Sequence, residues 1–293
     1  MTNEFKQSVM TALAEKRRHF GGSDAKFSMS LGINNAQYSR VKNGETEGVL
    51  SEANWISLAR QCDVPLGDAP AWVSVETPTF RFIAQQLSFC QANASSRLCC
   101  DVSDIGKTFT AKHYVKTTKN AVYVDCSLVK TRQKLVRFIA KSFGVGHTGS
   151  YNDVYADLIF YIRSMHCPLI ILDEAGDLDY NAFLELKALW NATERACGWY
   201  MMGADGLREK IRRAIENKKV GYMEIFSRYG SRYQKATPDS AQELKEYKTV
   251  QAAMIIKGNV PAGSTAAINI QQLITKSDYS LRRIYDELRK ISS

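Results

Sequence analysis

The chain has 293 residues, of which 45% are hydrophobic and 24% are charged, and this composition suits one large domain or two. It has no run of about 18 apolar residues and no apolar core at its N-terminus, so we expect neither a membrane span nor a signal peptide, and we expect a cytoplasmic protein. Its seven cysteines include no C-x-x-C pair, which argues against a disulfide framework or a zinc site, and its formal charge of +9 favours a polyanionic partner.

Residues 1–65 have the pattern of several short helices. The stretch SDAKFSMSLGINNAQYSRVKNG predicts a helix that starts at Ser23–Asp24, a turn at Gly32, and a second helix from Asn35 that stops before Asn43–Gly44. Gly32 stands between two apolar residues and permits the positive φ that a tight turn between helices often needs. The sequence therefore predicts a small all-α domain at the N-terminus.

This pair of helices resembles the helix-turn-helix of phage-repressor-like proteins. By that resemblance, five side chains of the second helix would face a DNA groove, where amide and guanidinium groups suit base edges and phosphates. They are Asn35, Gln37, Tyr38, Arg40 and Lys42. Residues 1–79 carry eight Lys and Arg against nine Asp and Glu, a net charge of −1, so a helical protein-interaction domain remains an alternative.

Residues 66–79 hold two of the six prolines and no helical period, so we expect a linker there. Over residues 80–293, apolar strand-like runs alternate with helical ones. The predicted strands are RLCCDV, NAVYVDC, PLIILDEA and GWYMMGAD. Such alternation predicts an α/β fold, with a parallel sheet flanked by helices and a ligand site at the carboxyl ends of the strands.

The stretch CCDVSDIGKTFT contains the end of a phosphate-binding loop. In the pattern G-x-x-x-x-G-K-[ST], the loop amides hold phosphates, the lysine reaches the β- and γ-phosphates, and the hydroxyl binds Mg²⁺. Gly106, Lys107 and Thr108 match, whereas Asp101 stands in place of the first glycine. We expect Asp101 to restrict φ where the loop leaves the strand and to add a carboxylate near the anion, which would lower affinity.

A second motif supports a nucleotide site. The apolar run PLIILDEA ends at Asp173–Glu174, so a buried strand presents two carboxylates at its tip. An aspartate in this place can hold Mg²⁺, and the adjacent glutamate can polarise the attacking water. Together the two motifs predict a site for ATP and Mg²⁺.

With these motifs the chain resembles the AAA+ ATPases and, within them, the transposition regulators of the phage Mu B type. The resemblance covers roughly residues 80–235 and rests, in order, on DVSDIGKTFTAKHYV, PLIILDEAGDLDYNAFLELKALWNAT, GWYMMGADGL and EIFSRYG. It implies a P-loop AAA+ fold preceded by the helix-turn-helix domain. Lys107 and Thr108 would be its Walker A pair, and Asp173 and Glu174 its Walker B pair.

The resemblance also implies roles for residues outside these motifs. Asp205 would stand at the sensor 1 position, where many members have Asn or Thr. Arg228 would be an arginine finger for a neighbouring subunit's nucleotide, with a plain phosphate or surface contact as the alternative. The stretch SDYSLRRIYDELRK is similar to the sensor 2 helix, with Arg282 preferred over Arg283 as the nucleotide contact and a helical surface arginine as the alternative. Residues 237–275 are expected to form a more irregular, short lid.

The positive charge lies in the second domain, where residues 80–293 carry a net charge of +10 and residues 206–236 alone carry +6. In Mu B-type proteins, basic side chains follow the duplex backbone, so DNA binding would be largely independent of sequence and sensitive to salt. The candidate DNA contacts are Lys130, Arg132, Lys134, Lys218 and Lys219. A solvated helical face is the alternative for each of them.

The function that the resemblance implies is regulation of DNA transposition by a DNA-binding ATPase. Such a protein assembles with its own copies on double-stranded DNA and presents the duplex to a transposase, and ATP hydrolysis releases the assembly. A replication-type AAA+ helicase loader or initiator is one alternative. A DNA-binding regulator whose nucleotide domain does not hydrolyse ATP is another.

Overall fold

The structure is a computed structural model that describes residues 1–66, 72–260 and 269–292. Within these ranges the chain forms four N-terminal helices, a five-stranded sheet with helices on both faces, and three C-terminal helices. No helix in the described ranges is both long enough and apolar enough to cross a membrane.

The N-terminal helices enclose an apolar core of their own. They are α1 (Asn3–Arg18), α2 (Asp24–Leu31), α3 (Asn35–Lys42) and α4 (Glu52–Gln61). Ser23 caps α2, and Asn34 caps α3 in a capping box with Gln37, which satisfies the first amides of both helices. Gly32 has a φ of 79°, so the turn predicted at this residue is confirmed. Phe27 and Trp55 are buried at the centre of this core.

The five strands are all parallel, which confirms the predicted α/β fold. They are β1 (Ser96–Cys100), β2 (Ala121–Asp125), β3 (Leu169–Asp173), β4 (Gly198–Gly203) and β5 (Tyr233–Gln234). Their order across the sheet is β2-β3-β4-β1-β5. Cys100 lies opposite Gly203 and Asp125 lies opposite Asp173, so the carboxyl ends of the central strands are level. The sequence did not predict β5, which spans only two residues.

Helices cover both faces of the sheet. They are α5 (Pro78–Ala92), α6 (Lys107–Thr117), α7 (Arg132–Ser142), α8 (Tyr151–Ser164), α9 (Tyr180–Ala192), α10 (Asp205–Glu216) and α11 (Tyr222–Arg228). Side chains of α5 and α6 pack on one face, and those of α7 to α11 pack on the other. Every residue of β3 and β4 is buried, as expected for central strands of a parallel sheet. All seven cysteines are free thiols, and five of them are buried.

The C-terminal helices correct the prediction of an irregular region over residues 237–275. They are α12 (Ala241–Asn259), α13 (Ile270–Lys276) and α14 (Leu281–Ser292), and α12 has 19 residues. The sequence of α12 lacks the broad apolar stripe that identifies most helices. Its apolar contacts are few for this reason, and Ala252 and Ile256 meet Ile274 and Ile284 in a small core. Residues 261–268 of the predicted region lie outside the described residues.

Part of the predicted linker packs against these C-terminal helices. The backbone amide and carbonyl of Val73 each bond to the side chain of Asn259, at 2.8 and 3.1 Å. The rings of Trp72 and Tyr285 lie 4.7 Å apart between centroids. We name residues 72–77 the strap, because they run along α12 and α14 before α5 begins. Residues 67–71 of the predicted linker lie outside the described residues.

The N-terminal helices dock on the side of the sheet domain formed by α7 and α8. The ammonium of Lys26 lies 3.6 Å from the centroid of the Tyr161 ring. Gly144 approaches α2 so closely that a Cβ on it would stand 2.1 Å from the Lys26 carbonyl oxygen. Asn35, the first residue of α3, is exposed.

Candidate functional site

The candidate site lies at the carboxyl edge of the sheet, where β1, β3 and β4 end. A loop of residues 101–106 follows β1, and α6 begins directly after it at Lys107. The first amides of α6 have no partner within the helix and carry its positive dipole end. This arrangement of loop and helix start is suited to binding an anion such as a phosphate group.

The loop turns through two residues in the left-handed region, Asp104 with a φ of 60° and Gly106 with a φ of 95°. A Cβ on Gly106 would have no atom within 4 Å, so there is open space against this part of the loop. The ammonium of Lys107 donates to the carbonyl oxygens of Asp101 and Val102, at 2.8 and 2.6 Å. The Lys107 ammonium therefore lies inside the loop, a position that suits contact with the phosphates of a nucleotide.

Asp101 connects the loop to the segment after β5. Its φ is not positive, so no glycine is needed at this position, and the expected strain is absent. Its buried carboxylate accepts hydrogen bonds from the amides of Val102, Ala236 and Thr237 at 2.8, 2.7 and 3.0 Å, and from the Thr237 hydroxyl. The structure thus corrects the expectation of backbone strain and shows the carboxylate engaged by protein donors, whereas the expected loss of nucleotide affinity stays a prediction.

Thr108 and Asp173, from the two predicted motifs, are in direct contact. The Thr108 hydroxyl donates to Asp173 Oδ2 at 2.6 Å, and the Tyr123 hydroxyl donates to the same oxygen at 2.9 Å. Burial and the Asp173 carboxylate raise the pKa of Tyr123, so its hydroxyl remains a donor. Adjacent hydroxyl and carboxylate oxygens are hard ligands, and they suit Mg²⁺. The residues present therefore fit a nucleotide with its magnesium ion.

Glu174 is exposed beside this pair. It has a φ of 49°, and its amide donates to Asp173 Oδ1 at 2.9 Å. Glu174 directly follows β3, and its side chain is exposed. Partial burial, followed by the nearby Asp173 charge, raises the pKa of Glu174. A carboxylate placed in this way can accept a proton from water near the loop.

Asp205 lies at the start of α10, immediately after β4. Its carboxylate is exposed and stands 3.5 Å from the guanidinium of Arg208. Arg208 in turn donates to the Cys100 carbonyl oxygen at 3.0 Å, one residue before the loop. Asp205 is thereby linked to the base of the loop through Arg208, which sequence reasoning did not identify.

Arg282 lies at the loop, although it is about 180 positions away in sequence. Its Nε is 3.8 Å from Asp104 Oδ1, and the side chain is 85% exposed. The Ser280 hydroxyl donates to Asp104 Oδ2 at 2.6 Å. The alternative residue, Arg283, is exposed on the same helix. The first turn of α14 thus meets the loop through Asp104.

Arg228 ends α11 and contacts its own chain. Its guanidinium donates to Asn191 Oδ1 at 2.8 Å and to the Glu224 carbonyl oxygen at 2.9 Å, and it lies 5.3 Å from the Trp190 ring. The side chain is partly exposed. These contacts fix its position on the surface formed by α9 and α11.

Three of the five basic candidates contact residues 177–185, which follow β3. Lys130 stands 3.3 Å from Asp177, and Lys219 lies 4.2 Å from the centroid of the Tyr180 ring. Arg132 is 3.9 Å from Glu185, whereas Lys134 and Lys218 are exposed. Residues 177–180 therefore bring the loop after β2 and the loop before α11 onto one surface. We call the surface formed by these five side chains the basic face.

The predicted DNA-facing residues of α3 have different environments. The prediction was wrong for Tyr38, which is 3% exposed and packs edge-on against Phe27 in the core. Gln37 completes the cap of α3. Arg40 pairs with Glu45 at 2.7 Å, and Lys42 pairs with Asp24 at 2.8 Å. The side chains of Asn35, Arg40 and Lys42 are all exposed, and their contact with DNA stays a prediction.

Besides Arg208, the sequence did not point to four polar residues of the site: Asp104, Tyr123, Thr237 and Ser280. Asp104 could have been selected, because it lies within the phosphate-binding loop itself. Nothing in the local sequence points to Tyr123, Thr237 or Ser280, since each reaches the site from a distant part of the chain.

Residues 92–211 match a family model described as an AAA domain. The matched span contains the loop, both carboxylates of the second motif and four of the five strands. It supports an AAA-type P-loop ATPase in this part of the chain. A search of curated proteins found no match to the chain.

Proposed function

We propose that the protein is an ATP-dependent, DNA-binding AAA+ regulator of transposition that assembles with its own copies on double-stranded DNA. The observation that carries the nucleotide part is the 2.6 Å hydrogen bond from Thr108 to Asp173. It joins the two motifs, which stand 65 residues apart in sequence, in a single site. The positive charge of residues 80–293 supports the DNA part, and the resemblance to Mu B-type proteins supplies the context of transposition.

Each residue of the site has a role in this proposal. The loop amides, Gly106 and Lys107 bind the phosphates, while Thr108 and Asp173 hold Mg²⁺, which supplies charge neutralisation when bound. Glu174 orients the attacking water and accepts its proton. Because the Glu174 side chain is exposed, a neighbouring subunit would be needed to close the site from solvent.

Three further residues complete the site in the assembled state. Arg228 is presented by α11 toward the nucleotide of the next subunit, where its charge stabilises the transferred phosphoryl group. Arg282 reaches the phosphates of its own subunit from α14. Asp205 accepts hydrogen bonds at the end of β4, close to the loop.

The basic face is the proposed DNA surface. Lys130, Arg132 and Lys219 contact residues 177–185, and Lys134 and Lys218 are exposed close to them in sequence. Contacts with phosphates by lysine and arginine side chains carry no base specificity, so the duplex is bound with little dependence on sequence. A transposase is the proposed partner of the DNA-bound assembly.

The test is negative-stain imaging of the protein on duplex DNA with Mg²⁺ and either ATP or ADP. We expect ordered rings or filaments with ATP and dispersed protein with ADP. A strict monomer at micromolar concentration with ATP, Mg²⁺ and DNA would contradict the proposal. Equal assembly with both nucleotides would instead indicate a DNA-binding protein that does not use its nucleotide site.

A variant pair tests the basic face in the same assay. Lys218→Asn with Lys219→Gln removes two charges from this face, and asparagine tolerates the left-handed φ of 52° at position 218. If both lysines contact phosphates, the slope of the logarithm of the DNA-binding constant against the logarithm of the salt concentration should become shallower by about 2. The control, Lys119→Gln with Lys257→Gln, removes the same charge elsewhere and should leave the slope unchanged.

Replacing Glu174 with glutamine should separate binding from turnover. The amide cannot accept a proton from water, so we expect ATP hydrolysis to fall by at least about 100-fold while the ATP affinity changes by less than about threefold. Steady-state phosphate release and calorimetric titration measure the two quantities. Glu216→Gln, an exposed glutamate on α10, serves as the control with unchanged turnover. Full activity in Glu174→Gln would exclude the proposed proton acceptor.

A further inference from the structure

Asp104 links the phosphate-binding loop to the start of α14. One carboxylate oxygen accepts the Ser280 hydroxyl at 2.6 Å, and the other stands 3.8 Å from Arg282 Nε. Asp104 occupies the left-handed region with a φ of 60°, so its side chain leaves the loop in a direction set by the turn itself. The carboxylate is 25% exposed, and its position is therefore defined by these two contacts as well as by the loop.

Ser280 organises the first turn of the helix that carries Arg282. Its carbonyl oxygen accepts the Ile284 amide at 3.0 Å, and its hydroxyl oxygen accepts the Arg283 amide at 3.3 Å. The same hydroxyl donates to Asp104, so capping of α14 and contact with the loop use one group. Further along α14, Ile284 and Leu288 are buried against α12 and α13. The start of α14 is held between this small core and Asp104.

We propose that Asp104 is a positioning residue for nucleotide binding, which holds Ser280 and Arg282 over the phosphate-binding loop as a latch. The inference rests on the proposed nucleotide site and concerns how that site is completed. Asp104 itself does not bind the phosphates, since it carries the same sign of charge. It acts through Arg282, whose guanidinium has N–H donors beyond the Nε that faces Asp104.

The ion pair alone contributes little to stability, because the Arg282 side chain is 85% exposed and its charge is screened by solvent. The effect of this ion pair is to keep the Arg282 guanidinium beside the phosphate-binding loop. A guanidinium kept beside the loop gives up less conformational freedom when a phosphate arrives than one that moves freely in solvent. Loss of Asp104 should therefore weaken nucleotide binding even though it removes a negative charge from a phosphate site.

A double-mutant cycle measures this coupling by calorimetric titration of Mg–ATP. Asp104→Asn suits the left-handed backbone and retains an oxygen for Ser280, but it loses the charge that attracts Arg282. We expect Asp104→Asn and Arg282→Gln each to weaken ATP binding by about 5- to 10-fold. The double variant should bind no more weakly than Arg282→Gln alone, because Asp104 acts only through this arginine.

The matched control is Arg283→Gln, which removes the same charge from the neighbouring exposed position on α14. It should change the affinity by less than about twofold. Tighter ATP binding by Asp104→Asn would show that repulsion of phosphate outweighs positioning, and it would overturn the latch. Independent, additive losses in the double variant would overturn it as well.

Hydrogen exchange provides a readout that needs no nucleotide. The latch predicts that the amides of residues 281–290 exchange faster in Asp104→Gly than in the wild type, because glycine keeps the left-handed backbone and removes both contacts with α14. Unchanged exchange in this variant would overturn the latch. If the wild type binds no ATP, the proposed function fails and the latch fails with it. If the wild type binds ATP and the cycle is additive, only the latch fails.

Discussion

Replacement of Lys107 with alanine is expected to lower the affinity for Mg–ATP by about 100-fold. Lys107 is 7% exposed, and its ammonium lies inside the loop on the carbonyl oxygens of Asp101 and Val102. Its charge is thus already placed where the proposal puts the β- and γ-phosphates. Hydrogen bonds between charged partners contribute about 1.5 to 3 kcal/mol each, and a buried ammonium would make more than one of them with a triphosphate. Calorimetric titration measures the loss.

The control for this variant is Lys119→Ala, which removes a lysine from the opposite edge of the sheet, just before β2. It should bind ATP as the wild type does. The same pair of variants distinguishes assembly on DNA that requires ATP binding from assembly that does not. Lys107→Ala should form none in the presence of ATP, whereas Lys119→Ala should form them normally. Wild-type ATP affinity in Lys107→Ala would exclude the loop as the nucleotide site.

Replacement of Asp101 with glycine, which restores the usual loop pattern, is expected to destabilise the protein. The Asp101 carboxylate is the acceptor for the buried Thr237 amide and hydroxyl and for the Ala236 amide. Each buried donor left without an acceptor costs about 1 to 3 kcal/mol, so we expect a loss of about 3 kcal/mol in the free energy of unfolding. Urea denaturation followed by circular dichroism measures it.

Thr237→Val separates the contributions of the Asp101 contacts. It removes one donor and leaves both amides bonded, so it should cost about 1 kcal/mol. Asp101→Gly should also bind ATP no better than the wild type, because the native residue already adopts its φ without strain. Unchanged stability together with tighter ATP binding in Asp101→Gly would show that the aspartate is a defect of the loop after all.

The sequence predicted those parts of the fold that depend on short segments. Four apolar runs became the strands β1 to β4, since a buried parallel strand is recognisable by composition alone. Lys107 and Thr108 could be selected because their motif is contiguous. Thr108 and Asp173 could then be expected to lie near each other, because both follow strands at the same edge of the sheet.

The parts of the site that the sequence did not predict depend on contacts between residues far apart in the chain, which no local pattern indicates. Two of the partners of Asp101, Ala236 and Thr237, stand 135 and 136 residues away, beyond a strand of two residues that has no pattern of its own. Because these partners are distant in sequence, Asp101 was expected from its neighbours alone to strain the loop and to lower nucleotide affinity. Tyr38 was misplaced because a polar-looking helix of eight residues has too few turns to show which face is buried.

The strap determines where the chain can be shortened to isolate the sheet domain. A fragment that begins at residue 80, the boundary expected from the sequence, would lose the contacts of Trp72 and Val73 with Tyr285 and Asn259. By its contacts the strap belongs with α12 and α14, although it precedes the sheet domain in the chain. Residues that look like a spacer in the sequence therefore hold the last helices of the chain against the start of the sheet domain.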